Sequence, residues 1–434
     1  MQRLALALYS LLAWLAIPLL RRKLARRARR EPGYAHAVQE RFGRYAAAFV
    51  PDARPLVWIH AVSLGETRAA ALVLGPLREQ VPGLRLLLTH GTATGRAQGA
   101  GLLREGDVQA WLPWDTPGAV RRFLRHFRPA LGVLMETEIW PNLAAGCKAR
   151  GVPLVLANAR LNARSYAGAL RLAWLARPAY GALAAAWAQT EADAARLRAL
   201  GAPVRAVLGN VKFDARPAPG LLARGRAWRD GSGRPVVLLA SSREGEEAAW
   251  LEIYKQNKAL TCSGSAQSDI DMGDVQWLVV PRHPQRFDEV ARLCEAAGLR
   301  VSRRSRWGQA PEAADVWIGD SLGEMSLYYA MADCALLGGS FAPLGGQNLI
   351  EALACGCPVV LGPHTFNFAE AAALAVQAGA AVRVRDLAQG VREAVGLATD
   401  APRRAAQAAR GEELLAAHRG AALATATALA RQLG

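Results

Sequence analysis

Carboxylates, guanidiniums and glycines recur in this chain just after short apolar runs, where a parallel α/β sheet presents its ligands. The first such cluster is His60-Ala-Val-Ser63-Leu-Gly65-Glu66. Gly65 permits a tight turn from strand to helix, and a carboxylate at Glu66 could accept a proton from an incoming hydroxyl. A first-turn acid also complements the helix macrodipole, so position alone leaves both roles open. Met135-Glu136-Thr-Glu138 sets paired carboxylates after another apolar run, able to orient cations or hydroxyls. Asn158-Ala-Arg160-Leu-Asn-Ala-Arg164 sets two guanidiniums after the next, suited to clamping phosphates. Each of these two could equally be a surface salt-bridge pair.

The second half carries groups suited to anions. Ser241-Ser242-Arg243-Glu244-Gly245 opens a helix with hydroxyls and free backbone N–H groups. Pro281-Arg282-His283-Pro284 is short and rigid, so the prolines present Arg282 and His283 rather than bury them. The strongest signal is the run from Gly338 to Glu351, which contains Gly345-Gly346-Gln-Asn348-Leu349-Ile350-Glu351. Its glycines let backbone approach a phosphate where a helix begins, with Asn348 and Glu351 one turn apart on the same face. That combination points to a nucleotide-sugar site rather than a structural turn. The six cysteines (147, 262, 294, 334, 355 and 357) form no CxxC pair and the seven histidines no HExxH cluster. The thiols read as reduced and structural, and no protein-held catalytic metal is expected.

These residues need a frame, and the apolar pattern supplies one. Candidate strands are 56–62, 84–89, 131–135, 154–157 and 204–208, then 236–240, 277–280, 316–318, 335–337 and 358–361, with Ala/Leu/Arg-rich helical stretches between them. This is the rhythm of parallel sheets wrapped by helices, an α/β protein. Residues 209–235 are rich in Arg, Gly and Pro and read as an interdomain connection. The expectation is two Rossmann-like domains, 31–212 and 213–434, facing across a cleft. Residues 254–276 break the composition and read as an exposed insertion without chemistry.

Lys and Arg exceed Asp and Glu by 53 to 36, a net charge of +17 that favours a polyanionic partner. Its distribution favours a membrane over a nucleic acid. The apolar run Leu4–Leu20 is followed by seven basic residues among the ten of 21–30, and no acid precedes Glu31. Residues 1–30 therefore read as a signal anchor or an interfacial helix that leaves the globular part in the cytoplasm. A cleaved signal peptide and a buried core helix are the competing readings.

The motifs as a set resemble the Kdo (3-deoxy-D-manno-octulosonic acid) transferases of lipopolysaccharide synthesis. The stretches are WIHAVSLGET (58–67), METEIWPNL (135–143), NARLNARS (158–165), GNVKFD (209–214), SSREGEE (241–247), VPRHPQRF (280–287), GDSLGEMSLYY (319–329), GGSFAPLGGQNLIEALACG (338–356) and GPHTFNF (362–368). They occur in the family's order along most of the chain. The resemblance implies a GT-B fold and an inverting, metal-independent transfer of Kdo from CMP-Kdo to the lipid A precursor at the cytoplasmic face of the inner membrane. It implies no cofactor and no nucleic acid, and leaves the oligomeric state and the number of Kdo units open. By position, Glu66 matches the general base, and Glu136 and Lys212 the transition-state stabilisers. Pro281-Arg282-His283, Gly323-Glu324-Met325 and Asn348-Leu349-Ile350-Glu351 match the CMP contacts. From the chemistry of the residues themselves, Ser241, Ser242, Gly345 and Gly346 are assigned to the donor-phosphate loops, and Arg160 and Arg164 to the acceptor. Ser242-Arg243 stands where the family often has Thr-His. A UDP-sugar glycosyltransferase or epimerase of the same fold, or a non-catalytic lipid-surface binder, are the alternative readings.

Overall fold

The computed structural model describes residues 2–46, 49–50, 52–262 and 272–433, which form two units: Met1–Asp214 with Arg419–Gly434, and Ala215–His418. The first unit holds strands β1 (Leu56–His60), β2 (Arg85–His90), β3 (Val108–Trp111), β4 (Leu131–Met135), β5 (Leu154–Ala159), β6 (Ala185–Ala188) and β7 (Val204–Val207). All pair parallel in the order β3-β2-β1-β4-β5-β6-β7. Because helices cover both faces, the central strands are apolar end to end: every residue of β1, β4 and β5 is buried. The second unit holds β8 (Val236–Ser242), β9 (Gln276–Pro281), β10 (Val301–Arg303), β11 (Val316–Ile318), β12 (Cys334–Leu337), β13 (Val359–Leu361) and β14 (Ala381–Arg383). Their parallel order is β10-β11-β9-β8-β12-β13-β14.

The order reverses between β1 and β4 in the first sheet and between β8 and β12 in the second, where β10 and β11 are also exchanged at the far edge. At such a switch point the connections leave in opposite directions and open a crevice at the carboxyl ends of the two strands. Glu66 follows β1 and Glu136 follows β4; Ser241 is the last residue but one of β8 and Gly338 follows β12.

Three boundaries depart from the sequence reading. Residues 209–235 are not a bare connection, because Val211–Asp214 forms a 3-10 turn and Pro219–Asp230 a helix packed on helix Met325–Met331. Nor does the second domain run to the C-terminus. Helix Ala421–Ala430 returns to the first unit and packs on helix Leu64–Gln80, burying Ala426 and Leu429 completely. The Asp214 carboxylate fastens it, accepting from the Gly420 and Ala422 N–H groups at 2.6 and 2.7 Å where the helix dipole favours negative charge. Finally, 254–276 is not wholly an exposed insertion. Tyr254 lies on helix Glu246–Cys262, one turn from Trp250, whose ring packs against both Tyr254 and Trp277. Met272 and Val275 are buried in the same core, while residues 263–271 lie outside the described part.

The N-terminal run is two helices, Gln2–Leu15 and Ile17–Arg30, bent by 46° at Ala16, with Pro18 in the first turn of the second. No single described helix is long and apolar enough to cross a membrane, although the bent pair qualifies by length and composition. It is not a core helix, for Leu4 is 75% exposed and Trp14 63%.

Because helix Ala421–Ala430 closes the first core, Leu429→Ala is expected to cost that unit about 2–5 kcal/mol. Hydrogen exchange should quicken in β1, β2 and β4 and stay unchanged in β8, β9 and β12.

Candidate active site

The turn after β1 is built as a capping box. Ser63 is the N-cap of helix Leu64–Gln80, its Oγ accepting from the Glu66 N–H at 3.4 Å. Glu66 folds back so that Oε2 accepts from the Val62 N–H at 2.5 Å. The two roles left open by the sequence thus coexist: Glu66 caps the helix and stands at the switch point. Burial pushes its carboxyl up to about 8 from the ordinary 4.5, and the neighbouring Glu136 and Glu138 add to the rise. The Val62 N–H and the Lys212 ammonium oppose the shift without cancelling it.

Glu136 follows β4 with φ +63°, a left-handed conformation uncommon for a residue with a side chain. Its carboxylate lies 2.6 Å from Lys212 Nζ, and its carbonyl accepts from the Arg160 N–H at 3.0 Å. Lys212 reaches that position because GNVKFD is a fitted plug. Val211 and Phe213 point into the core, Asp214 caps the last helix, and Lys212 is left half-buried between them. Asn158 holds the plug by accepting from the Val211 N–H at 3.1 Å. Its φ is +51°, where β5 breaks register with β6 between Leu156 and Ala159.

Around this cluster the histidines are structural. His60 and His90 are buried, and desolvation lowers them to about 3 and about 4, so both are neutral. Arg164 lies exposed on helix Ala163–Arg171, and Arg160 meets Glu136 of the Glu136–Lys212 pair through its backbone N–H. The sequence reading missed Asp115. Its carboxylate accepts from the Asn142 and Leu143 N–H groups at 2.9 and 2.8 Å and so fixes the far end of the METEIWPNL loop. The preference of a helix N-terminus for an acid was the available signal, but the partner stands 27 residues away.

In the second unit the same device recurs. Ser241 has φ +54° at a register shift between Ala240 and Ser242. The bulge sends the two serines opposite ways. Ser241 Oγ lies 3.9 Å from Met325 Sδ, whereas Ser242 is buried with its hydroxyl donated to Glu247 Oε1 at 2.7 Å. Ser242 therefore does not offer its hydroxyl to a ligand, and that part of the donor-loop expectation is corrected. Glu247 is further engaged by Arg286 at 2.7 Å, a buried ion pair that anchors the loop.

Glu246 organises the glycine loop after β12. Its two oxygens accept from the N–H groups of Arg243 (2.9 Å), Gly339 (2.7 Å), Phe341 (3.2 Å) and Ala342 (3.4 Å). Gly338 must lack a side chain there, since a Cβ would stand 2.5 Å from the Ser241 carbonyl oxygen. Gly345 and Gly346 have φ of +90° and +72°, and a Cβ at Gly345 would run into Phe366 and Asn367. Arg282 Nε donates to Gln347 Oε1 at 3.2 Å, tying the loop after β9 to the glycine loop. His283 beside it is lowered by burial and by Arg243 and Arg282.

Asn348 caps helix Leu349–Ala354 by accepting from the Ile350 N–H, while Leu349 and Ile350 are buried and leave only backbone for a ligand. Glu351 accepts from Ser326 Oγ at 3.4 Å, one residue beyond Met325. Glu324 pairs with Arg304 at 2.8 Å and with the Ser321 hydroxyl, beside Gly323 at φ +82°. Pro281 ends β9 and is buried. Ser241, Arg282, Met325 and Glu351 therefore collect about the ends of β8, β9 and β12, as the sequence motifs required.

Comparison with known proteins bears on the family and the fold. Residues 36–215 match the family model described as 3-deoxy-D-manno-octulosonic-acid transferase (kdotransferase). The chain is 48% identical to a 3-deoxy-D-manno-octulosonic acid transferase of Bordetella pertussis over 94% of its own length and 95% of the relative's. It is 32% identical to the Haemophilus influenzae transferase over 90% of each. In fold it resembles the crystal structure of a glycosyltransferase from Rickettsia africae, with a TM-score of 0.55 at 12% identity, covering 88% of this chain and 99% of that one. Two doubly wound units with polar clusters at their switch points, and close likeness along nearly the whole length, make this chain a member of the Kdo transferase family, glycosyltransferases of GT-B fold.

Proposed function

We propose that this Kdo transferase takes Kdo from CMP-Kdo, places it on the lipid A precursor (lipid IVA) with inversion, and does so without a metal. The observation that carries the reading is Glu66, a carboxyl at the β1/β4 switch point pushed up to about 8. A base effective near neutral pH needs a pKa near the working pH, and an ordinary carboxylate is too weak. In the step, the acceptor hydroxyl attacks the anomeric carbon of Kdo, the bond from that carbon to the CMP phosphate breaks, and the hydroxyl proton passes to the ionised form of Glu66, which a carboxyl pushed up to about 8 populates as a minority near neutral pH. CMP leaves with the electron pair and its charge. Lys212, held at 2.6 Å by Glu136, is the cation available on the same sheet edge as the charge moves.

Donor recognition falls to the second unit. Arg282 and the backbone N–H groups of Gly345, Gln347 and Asn348 suit the CMP phosphate, the Gly346 N–H being taken by the Gly339 carbonyl at 2.7 Å, and Glu351 suits ribose hydroxyls. Fixed cations and dipoles meeting the leaving phosphate support a transfer without a metal. Arg160 and Arg164 suit the phosphates of the acceptor. The two exposed, arginine-flanked N-terminal helices support attachment at the cytoplasmic face of the inner membrane. Family membership selects the transferase over the idle lipid binder.

Glu66→Gln is expected to lower kcat by about 100- to 10,000-fold while CMP-Kdo binding is retained. Steady-state kinetics with calorimetric donor titration check this; unchanged kcat would refute the assignment. A stability effect comes from the same shift. A carboxyl whose folded pKa lies above its unfolded value contributes stability that is present below about 4.5 and is lost as pH rises through about 8. Glu66→Gln should therefore raise the melting temperature of the first unit at about pH 8.5 and leave it nearly unchanged at about pH 4.5, read by calorimetry at both values.

A further inference from the structure

Beyond the N-terminal pair, the exposed large apolar side chains described in the first unit are Val50 and Leu423, each standing singly, and one group of three. Leu170 and Leu172 are 40% and 51% exposed and Trp174 is 47% exposed, at the junction of helices Ala163–Arg171 and Ala173–Tyr180. These are not isolated surface residues. Helix Gln2–Leu15 packs directly on helix Ala173–Tyr180 and on helix Pro141–Ala149. Its own exposed side carries Leu4, Leu8, Leu11 and Trp14. Its inner side is bound by polar groups: Ser10 Oγ donates to Asn142 Oδ1 at 2.8 Å, and the Tyr9 hydroxyl bonds the Asp115 carboxylate. Helix Ile17–Arg30 is also held to the body, with Arg27 over the Tyr34 ring at 5.6 Å and Arg21 over Phe42 at 5.8 Å.

Charge traces the same outline. Both segments with exposed apolar residues lie in stretches devoid of acid. Residues 1–30 contain none, and neither do residues 139–190, which hold Lys148, Arg150, Arg160, Arg164, Arg171 and Arg177. Apolar tips with interfacial tryptophans, rimmed by guanidiniums and without carboxylates, complement an anionic bilayer. An interface with another protein has no need to exclude one sign of charge so completely.

We propose that helices Ala163–Arg171 and Ala173–Tyr180 form a second membrane-inserting element, continuous with the N-terminal helix. In this arrangement helix Gln2–Leu15 lies in the plane of the bilayer surface, held by Tyr9 and Ser10, instead of crossing it. The inference rests on the membrane attachment proposed above and adds the surface and its orientation. A helix crossing the bilayer would give up the Ser10 and Tyr9 bonds. A flat one keeps them and places Trp14 and Trp174 at similar, shallow depth.

The test uses the full chain with vesicles of mixed phosphatidylethanolamine and phosphatidylglycerol. Replacing Leu170, Leu172 and Trp174 together by Ser should lower the vesicle partition coefficient by about tenfold or more. Melting temperature, and transfer to a detergent-solubilised acceptor, should remain at the parent's level. Activity in detergent separates this proposal from the catalytic one, because loss there would indict the site rather than the surface. Brominated lipids should quench Trp14 and Trp174, each read as the difference between parent and W14F or W174F, more strongly when brominated near the glycerol backbone than near the methyl ends. Unchanged partition of the triple variant, or absence of Trp174 quenching, would overturn the second element. Deep quenching of Trp14 would overturn the flat orientation. A self-association in solution abolished by the triple substitution, with vesicle binding intact, would assign the face to a second copy of the chain instead.

Discussion

Two carboxyls and one ammonium share the carboxyl edge of the first sheet, and burial raises the Glu66 carboxyl far above its ordinary value. Lys212 pairs with Glu136 at 2.6 Å, so Glu66 bears the desolvation with only a backbone N–H and a more distant cation to ease it. The outcome is a carboxyl at about 8 beside an anchored ammonium. One sheet edge thus carries both a carboxyl raised by burial and a cation held in place by an ion pair. Much of the first unit serves to hold those three side chains. Ser63 fixes the turn, Asn158 holds the plug that delivers Lys212, Asp115 secures the METEIWPNL loop, and Asp214 joins the plug to the last helix.

The backbone does part of the positioning through strain. Among the described residues, Glu136, Asn158 and Ser241 are three of the five non-glycine residues with positive φ, and each stands at the carboxyl end of a central strand. Asn158 and Ser241 sit at register shifts, where one extra residue re-aims the side chains after it. Left-handed conformations at residues with side chains cost of order 1–3 kcal/mol each and persist where surrounding bonds over-determine them. Here those bonds are visible: Asn158 is held by Val211 and Gln189, and the segment after Ser241 by Glu246 and Glu247.

Much of this was legible in the sequence, and the limits have physical causes. Strand β4 runs Leu131–Met135 and β11 Val316–Ile318, as apolar runs bounded by polar residues indicated. Strands β3, β6, β10 and β14 escaped notice. β6 is Ala-Ala-Trp-Ala, without a branched residue, and β14 has only three residues. Glu66, Glu136 and Arg282 were found because each stands just past a readable strand. The Ser242–Glu247 bond and the four N–H groups gathered by Glu246 were not, since they depend on a bulge and on a loop about 95 residues away. The return of helix Ala421–Ala430 is also a long-range fact, decided by an apolar face of Ala and Leu that fits the back of helix Leu64–Gln80.

All of the chemistry turns on the proton held by one carboxyl in the resting protein. The most direct measurement is a titration of the Glu66 side-chain carbon by NMR in protein labelled with 13C at glutamate, assigned by the resonance that vanishes in Glu66→Gln. A midpoint near 8 is the result this account requires. A midpoint near the ordinary 4.5 would mean that Glu66 is already ionised and well solvated, and would leave the carboxylate a helix cap without the basicity that transfer demands.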